Sequence, residues 1–371
     1  MGASLGFIPG FLATVLSEDL DVSRGMIGLI VGIYFGATGI GSIPAGRFTD
    51  KFGARNVATI NMLLVAGSSL LIAFFDTYAM WIIGSVVGGM GYALGNTSTN
   101  VAIGHAVPIE RRALAMSIKT SGVPLMATIA AAITPWAANV WSWERVLVFN
   151  AIVASISGIF TYLVLHDDRS ESTTGSAPTP LPKDFYWFGI AAFLLIGGSQ
   201  PLYSWTVSYL EESLNAPASL SGGIMAIASF IGVIVMICNG VWADRLGELK
   251  RIPLVMLLLS VSALSVCLVI LGTVLGTFVV VIGLTLGVST QLAAIGTMHA
   301  AVIDKAPKSV GRATGITMTG YYLGALVTPA GFGLLVDISD TYIYSWLATL
   351  VILITAVGAW HRAGKVQTQR D

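Results

Sequence analysis

The feature that most constrains this chain is a succession of apolar runs bounded by charge, most of them about 20 residues long. At about 1.5 Å per residue, a helix of that length crosses the hydrocarbon core of a bilayer, about 30 Å thick. Backbone groups in hydrocarbon find no water to pair with, so such runs must be helical. They fall near 1–16, 25–46, 56–75, 79–105, 112–137, 145–165, 185–210, 219–243, 252–272, 275–303, 311–336 and 342–361. The expected fold class is therefore all-α integral membrane, with twelve transmembrane helices. Composition agrees: 10% of the 371 residues are charged, where a soluble domain carries about 25%. Nineteen basic and nineteen acidic residues cancel, which removes the basic face that nucleic-acid binding requires. Cys238 and Cys267 both lie inside apolar runs and suggest neither a disulfide nor a metal site.

The loops orient the helices. With the N-terminus cytoplasmic, the inner loops and tail hold sixteen Lys and Arg residues and the outer loops hold only Arg24 and Arg145. The positive-inside rule then predicts a multi-pass protein of the cytoplasmic membrane with both termini inside. The first run is short, reaching about 24 Å as a helix, and it contains Pro9. A signal peptide would need a basic n-region and a small-residue cleavage site, and neither precedes Glu18, Asp19 and Asp21. The expectation is a first helix whose beginning is missing.

The chain also repeats itself. Gly46-Arg-Phe-Thr-Asp50-Lys51-Phe-Gly53-Ala-Arg55 follows the second run, and Gly240-Val-Trp-Ala-Asp244-Arg245-Leu-Gly247 follows the eighth, 194 residues later. Arg111-Arg112-Ala113 and Gly311-Arg312-Ala313 form a second echo, 200 residues apart. Between the copies, residues 166–184 are polar and rich in Ser, Thr and Pro, the composition of a flexible linker. The division predicted is a six-helix bundle over 1–165, a cytoplasmic linker over 166–184, and a second six-helix bundle with a short tail over 185–371. Two parallel repeats of this kind are a transporter plan. In each loop the glycines permit a sharp turn, and Asp50 is placed to cap the helix that follows.

These residues resemble the major facilitator superfamily, whose signature is a Gly-x-x-x-Asp-Arg/Lys-x-Gly loop after spans two and eight. The resemblance covers essentially the whole chain. It implies a secondary transporter acting by alternating access, with a mid-membrane cavity lined by spans 1, 4, 7 and 10 and flanked by 2, 5, 8 and 11. It also implies that Asp50 pairs with the neighbouring Arg112 and with a helix end of the opposite half, and by symmetry Asp244 with Arg312, latching the cytoplasmic side. Gly46, Lys51, Gly53, Arg55, Gly240, Arg245 and Gly247 belong to the same gating loops. A monomer is the implied state, with a small-molecule substrate and the lipid bilayer as its partners and no cofactor.

The polar residues of those spans supply the candidate binding groups. No Asp or Glu lies deep in a span, which argues against a carboxylate-driven proton mechanism. Lys119, seven residues beyond Arg112, is the single deep charge. At about 10 Å into its span, it either snorkels to the interface or meets an anionic substrate. In span four, Gly84, Gly88, Gly91 and Gly95 form a smooth stripe for close packing. Tyr92, Asn96 and Asn100 share an adjacent face at i, i+4 and i+8. Span seven carries Gln200, Pro201, Tyr203, Ser204 and Trp205. Its proline lacks an amide and frees a carbonyl one turn earlier, so a break is expected there. Gln291 lies in span ten, Tyr322 in span eleven and Tyr34 in span two. His299 titrates near neutrality when unperturbed and is the candidate proton site.

Drug–proton antiporters of the superfamily carry an arginine early in span four and a Gly-Pro…Gly-Gly run in span five. Residues 83–88 hold no basic residue, and residues 121–128 lack the trailing glycines. The run Ser117-Ile-Lys119-Thr-Ser-Gly-Val-Pro124 instead resembles segments of cyanate-type and other small-anion permeases. The reading is a carrier of a small organic or inorganic anion, with efflux of a hydrophobic or drug-like compound as the alternative. A membrane-embedded enzyme would need His, Asp or Cys clustered within the spans, and they are scattered. A non-transporting sensor on the same fold differs only in moving no substrate.

Overall fold

The computed structural model describes residues 2–106, 112–165, 181–291, 293–306 and 310–367, and among these the regular structure is helical throughout. The N-terminal half comprises α1 (Ser4–Phe11), α2 (Ala13–Asp19), α3 (Arg24–Phe52), α4 (Ala54–Phe75), α5 (Tyr78–Ala106), α6 (Arg112–Val140) and α7 (Trp143–Val164). The C-terminal half comprises α8 (Tyr186–Ser204), α9 (Thr206–Leu214), α10 (Ala218–Leu246), α11 (Glu248–Leu275), α12 (Thr277–Gln291), α13 (Ala293–Lys305), α14 (Val310–Ser339) and α15 (Ile343–Gly364). Among the described residues, ten segments are long and apolar enough to cross a membrane, α12 and α13 counting as one. The other two of the twelve positions are the helix pairs α1/α2 and α8/α9.

Both pairs are interrupted in the same way. Leu12 separates α1 from α2 at φ −105°, ψ 8°, and Trp205 separates α8 from α9 at φ −120°, ψ −3°. Each interruption comes after a proline, Pro9 or Pro201. The local break expected from Pro201 falls four residues on, at Trp205. The ring is absorbed within α8, and the helix stops at Trp205, whose indole Nε1 donates to Pro329 O at 3.1 Å. The two interruptions abut: a Cβ at Gly10 would lie 2.6 Å from Ser204 O.

The predicted turns between spans two and three, and between eight and nine, are single glycines with left-handed backbone, Gly53 at φ 81° and Gly247 at φ 77°. Only glycine adopts that conformation without strain. These two turns mark one face of the bundle, called here the loop face; Arg24 and Asp337 mark the opposite, far face. Cys238 and Cys267 are both free.

The halves meet where α3 packs on α14, α6 on α10, and α1 and α2 on α8 and α9. In α3 the seam is made of glycines. A Cβ would lie 2.2 Å from Pro329 O at Gly28, 2.1 Å from Leu326 O at Gly32 and 2.7 Å from the Tyr322 side chain at Gly39. Near the far end of α10, a Cβ at Gly222 would lie 2.4 Å from Ala131 O. Toward the loop face the contacts stop: Gly46, Gly122, Gly240, Gly296 and Gly315 all have open space at the Cβ position. The close backbone approaches across the seam thus lie toward the far face.

Candidate functional site

Toward the loop face, α5 and α6 bring together three of the residues singled out from sequence. Lys119 Nζ donates to Asn100 Oδ1 at 2.6 Å, to Asn96 O at 3.2 Å, and to Asn96 Oδ1. An ammonium has three protons, and neutral amide oxygens on one helix accept them all. The i, i+4 spacing of the asparagines stacks them along α5, so the lysine is tethered to that helix. No described carboxylate forms an ion pair with it.

The other half supplies the opposite wall. There Tyr322 of α14 packs against α3, where a Cβ at Gly39 would lie 2.7 Å from its side chain. Tyr321 stands edge-on to Tyr322, with ring centroids 5.4 Å apart. His299 hydrogen-bonds Ile295 O through Nδ1 at 2.9 Å, and its Nε2 lies 3.2 Å from Met318 Sδ. Lys119 is its charged neighbour from the other half.

An aromatic chain closes the site toward the far face. Centroids run from Tyr203 to Phe7 at 5.6 Å, Phe7 to Phe35 at 6.1 Å, Phe35 to Tyr34 at 5.4 Å and Tyr34 to Tyr92 at 6.1 Å. Tyr34 is fully buried, its hydroxyl donating to Gly2 O at 2.5 Å. Tyr34 and Tyr203 therefore stand in this plug, and Trp205 lies beyond it, stacked on Phe332. Gln200 and Gln291 are buried, and Gln200 Nε2 and Gln291 Oε1 have no hydrogen-bond partner. Three glycines of the α5 stripe pack on α4, Gly84 facing Ile72, Gly91 Leu64 and Gly95 Asn61, while Gly88 faces Leu5 of α1 and Tyr34 of α3. That leaves the Asn96–Asn100 face toward α6.

The gating loops are partly visible. Lys51 and Arg245 are exposed, and the Arg55 guanidinium lies over the Tyr162 ring, 4.7 Å from its centroid. The side chains of Asp50, Arg112 and Arg312 lie outside the described residues. Asp244 is bound from within its own half: Arg251 Nη2 donates to it at 3.3 Å, while Nη1 donates to both oxygens of Asp304 at 2.7 and 2.8 Å. Sequence reasoning missed Arg251 and Asp304, whose only signal was a basic residue seven positions after Asp244. It also missed Phe7 and Phe35, ordinary apolar residues until the fold lines them up.

A family model described as Major Facilitator Superfamily matches residues 1–329. The chain is 24% identical over 361 residues to a gentisate transporter of Corynebacterium glutamicum, covering 88% of this chain and 76% of the relative. It is 24% identical over 403 residues to a nitrite extrusion protein of Bacillus subtilis, covering 99% and 96% of the two chains. Its fold matches an inward open structure of the xylose transporter XylE from E. coli at a TM-score of 0.79. That match has 14% identity and covers 97% of this chain and 93% of the other.

Proposed function

The chain belongs to the major facilitator superfamily and is a membrane transporter, and from that premise we propose that it carries a small organic or inorganic anion by alternating access. The observation that carries this reading is Lys119, held between Asn96 and Asn100 with no described carboxylate to cancel its charge. A lysine at the centre of a span costs about 2.5–3.5 kcal/mol on insertion scales. The amide oxygens offset part of that cost without neutralising the charge, so the cavity keeps a positive field that an entering anion completes. A carboxylate or oxyanion replacing an amide at the ammonium trades a hydrogen bond charged on the donor alone for one charged on both partners. Two relatives are named for gentisate and nitrite, both anions at neutral pH, which supports the same class.

With the basic loops placed in the cytoplasm of a cell whose plasma membrane holds the protein, the loop face is the inward one. The bundles over 1–165 and 185–371 then rock about the site. Asp50 with Arg112, and Asp244 with Arg312, each reaching a helix end of the opposite half, close the loop face when the cavity opens to the other side. His299, with one nitrogen bound to a carbonyl and the other facing a thioether, is the proposed site for a coupled proton.

The test is thermal stability of the purified protein against carboxylates, inorganic anions, neutral solutes and lipophilic cations. A ligand at 100 times its Kd stabilises by about 2.7 kcal/mol. An anion should raise the melting temperature in the native protein and leave Lys119→Ala unmoved. A shift that survives Lys119→Ala, or shifts confined to lipophilic cations, would overturn the anion reading. For the gate, Asp50→Ala with unchanged uptake in proteoliposomes and unchanged labelling of a loop-face cysteine would remove Asp50 from the mechanism.

A further inference from the structure

Arg24 opens α3 in the N-terminal half, yet the acidic groups it binds belong to the other half. Its Nε and Nη2 donate to Glu212 Oε2 at 2.7 and 2.5 Å. Its Nη1 lies 3.8 Å from Asp337 Oδ1. Asp337, near the end of α14, also accepts from the backbone amides of Arg24 at 3.0 Å and Gly25 at 2.7 Å. It thereby caps the first turn of α3 beside Ser23, whose hydroxyl accepts from Met26 N. Tyr342 donates its hydroxyl to the same Glu212 oxygen at 3.0 Å, and Thr14 of α2 reaches the other oxygen at 3.5 Å. A charge-assisted guanidinium contact and a carboxylate at a helix N-terminus are both geometry-specific. Because their partners lie on opposite halves, both break in one step when α3 parts from α14.

We infer that Arg24, with Glu212 and Asp337, is the far-face latch of the carrier: it holds the halves together while the cavity is open to the loop face, and its release admits solvent from the other side. The latch takes its purpose from the transport reading proposed above, but its geometry involves neither the gating loops nor Lys119. Directly beneath it Ser208 is fully buried, with its hydroxyl 3.5 Å from Gly10 O across the seam. That position reports whether the seam is shut.

The experiment places Ser208→Cys in a background of Cys238→Ser and Cys267→Ser, in vesicles with the far face outward. A membrane-impermeant maleimide should label the reporter slowly while Arg24 is present. Arg24→Ala and Glu212→Gln should each raise the labelling rate about fivefold or more, the scale of a typical coupling between sites. Arg24→Lys keeps the charge without the fork and should fall between. Arg145→Ala removes the other basic residue assigned to that face and should leave labelling unchanged. Unchanged labelling in both Arg24→Ala and Glu212→Gln, in protein that elutes as a single species and reacts fully once denatured, would overturn the latch. An equal rise in Arg145→Ala would overturn it as well, by making the effect one of net charge. Labelling needs no substrate, so a rise in rate supports the latch even if no anion stabilises the protein, in which case the anion reading fails alone.

Discussion

The two faces of the bundle use their charges in opposite ways. On the far face the ion pairs run between the halves, from Arg24 to Glu212 and Asp337. On the loop face, Arg251 gathers Asp244 and Asp304 within a single half. A pair that crosses the seam exists in one conformation only and therefore biases it. A pair confined to one half survives rocking and adds to stability in every state. The same division shows in the helix contacts, tight at Gly28, Gly32 and Gly222 and open at Gly46, Gly122 and Gly240.

The largest effect that could break this comparison comes from Gly28→Leu set beside Gly46→Leu. The first drives a side chain into Pro329 O, where a Cβ alone would lie at 2.2 Å. It should cost about 1–3 kcal/mol through overpacking and speed far-face labelling of Ser208→Cys. The second enters open space and should leave the melting temperature unchanged. Equal losses from the two would mean that the faces do not differ in packing.

Arg251→Ala sharpens the contrast from the loop face. Asp304, whose side chain is 15% exposed, would lose its charged partner, at a cost of about 1.5–3 kcal/mol. Labelling at Ser208→Cys should not change, because none of the lost bonds crosses the seam. Faster labelling would show that this network governs the conformation as well as the stability.

The smallest effect belongs to Asp76, exposed at the far face. Partial burial, then the charges of Glu144 and Asp19, raise its carboxyl above the usual range. A raised carboxylate pKa means that folding disfavours the ionised form, so Asp76→Asn should stabilise the protein at neutral pH. Solvent screening limits the gain to a few tenths of a kcal/mol. The gain should fade as the pH falls into the carboxylate range, where Asp76 is already protonated. Asn also tolerates the left-handed backbone at this position, φ 44°. A variant no more stable at neutral pH would show that the crowding of acids there costs nothing.

Much of the fold was legible because the membrane enforces it. Apolar run length marked the ten membrane-length segments, and the repeated loops marked the turns at Gly53 and Gly247, although Gly46 and Gly240, expected to share those turns, lie inside α3 and α10. The Lys119–Asn96–Asn100 cluster was half legible: the i, i+4 asparagines and the lone lysine stood out, but only the packing of α5 on α6 joins them. The interruption at Leu12 was not foreseen and the one at Trp205 only roughly, since a proline signals a weakened helix without showing which turn yields. Arg24 and Glu212 are 188 residues apart and carry no motif, so their meeting belongs to the tertiary structure alone.

The glycines of α3 have a mechanical consequence. Helices that interlock through large side chains behave like meshed gears, and shifting one past the other requires teeth to be withdrawn and reset. Along Gly25, Gly28, Gly32, Gly36 and Gly39, α3 presents no teeth to α14. The joint is a plain bearing, along which one rod can roll on another without repacking, so resistance to motion is concentrated at the fastenings at its ends.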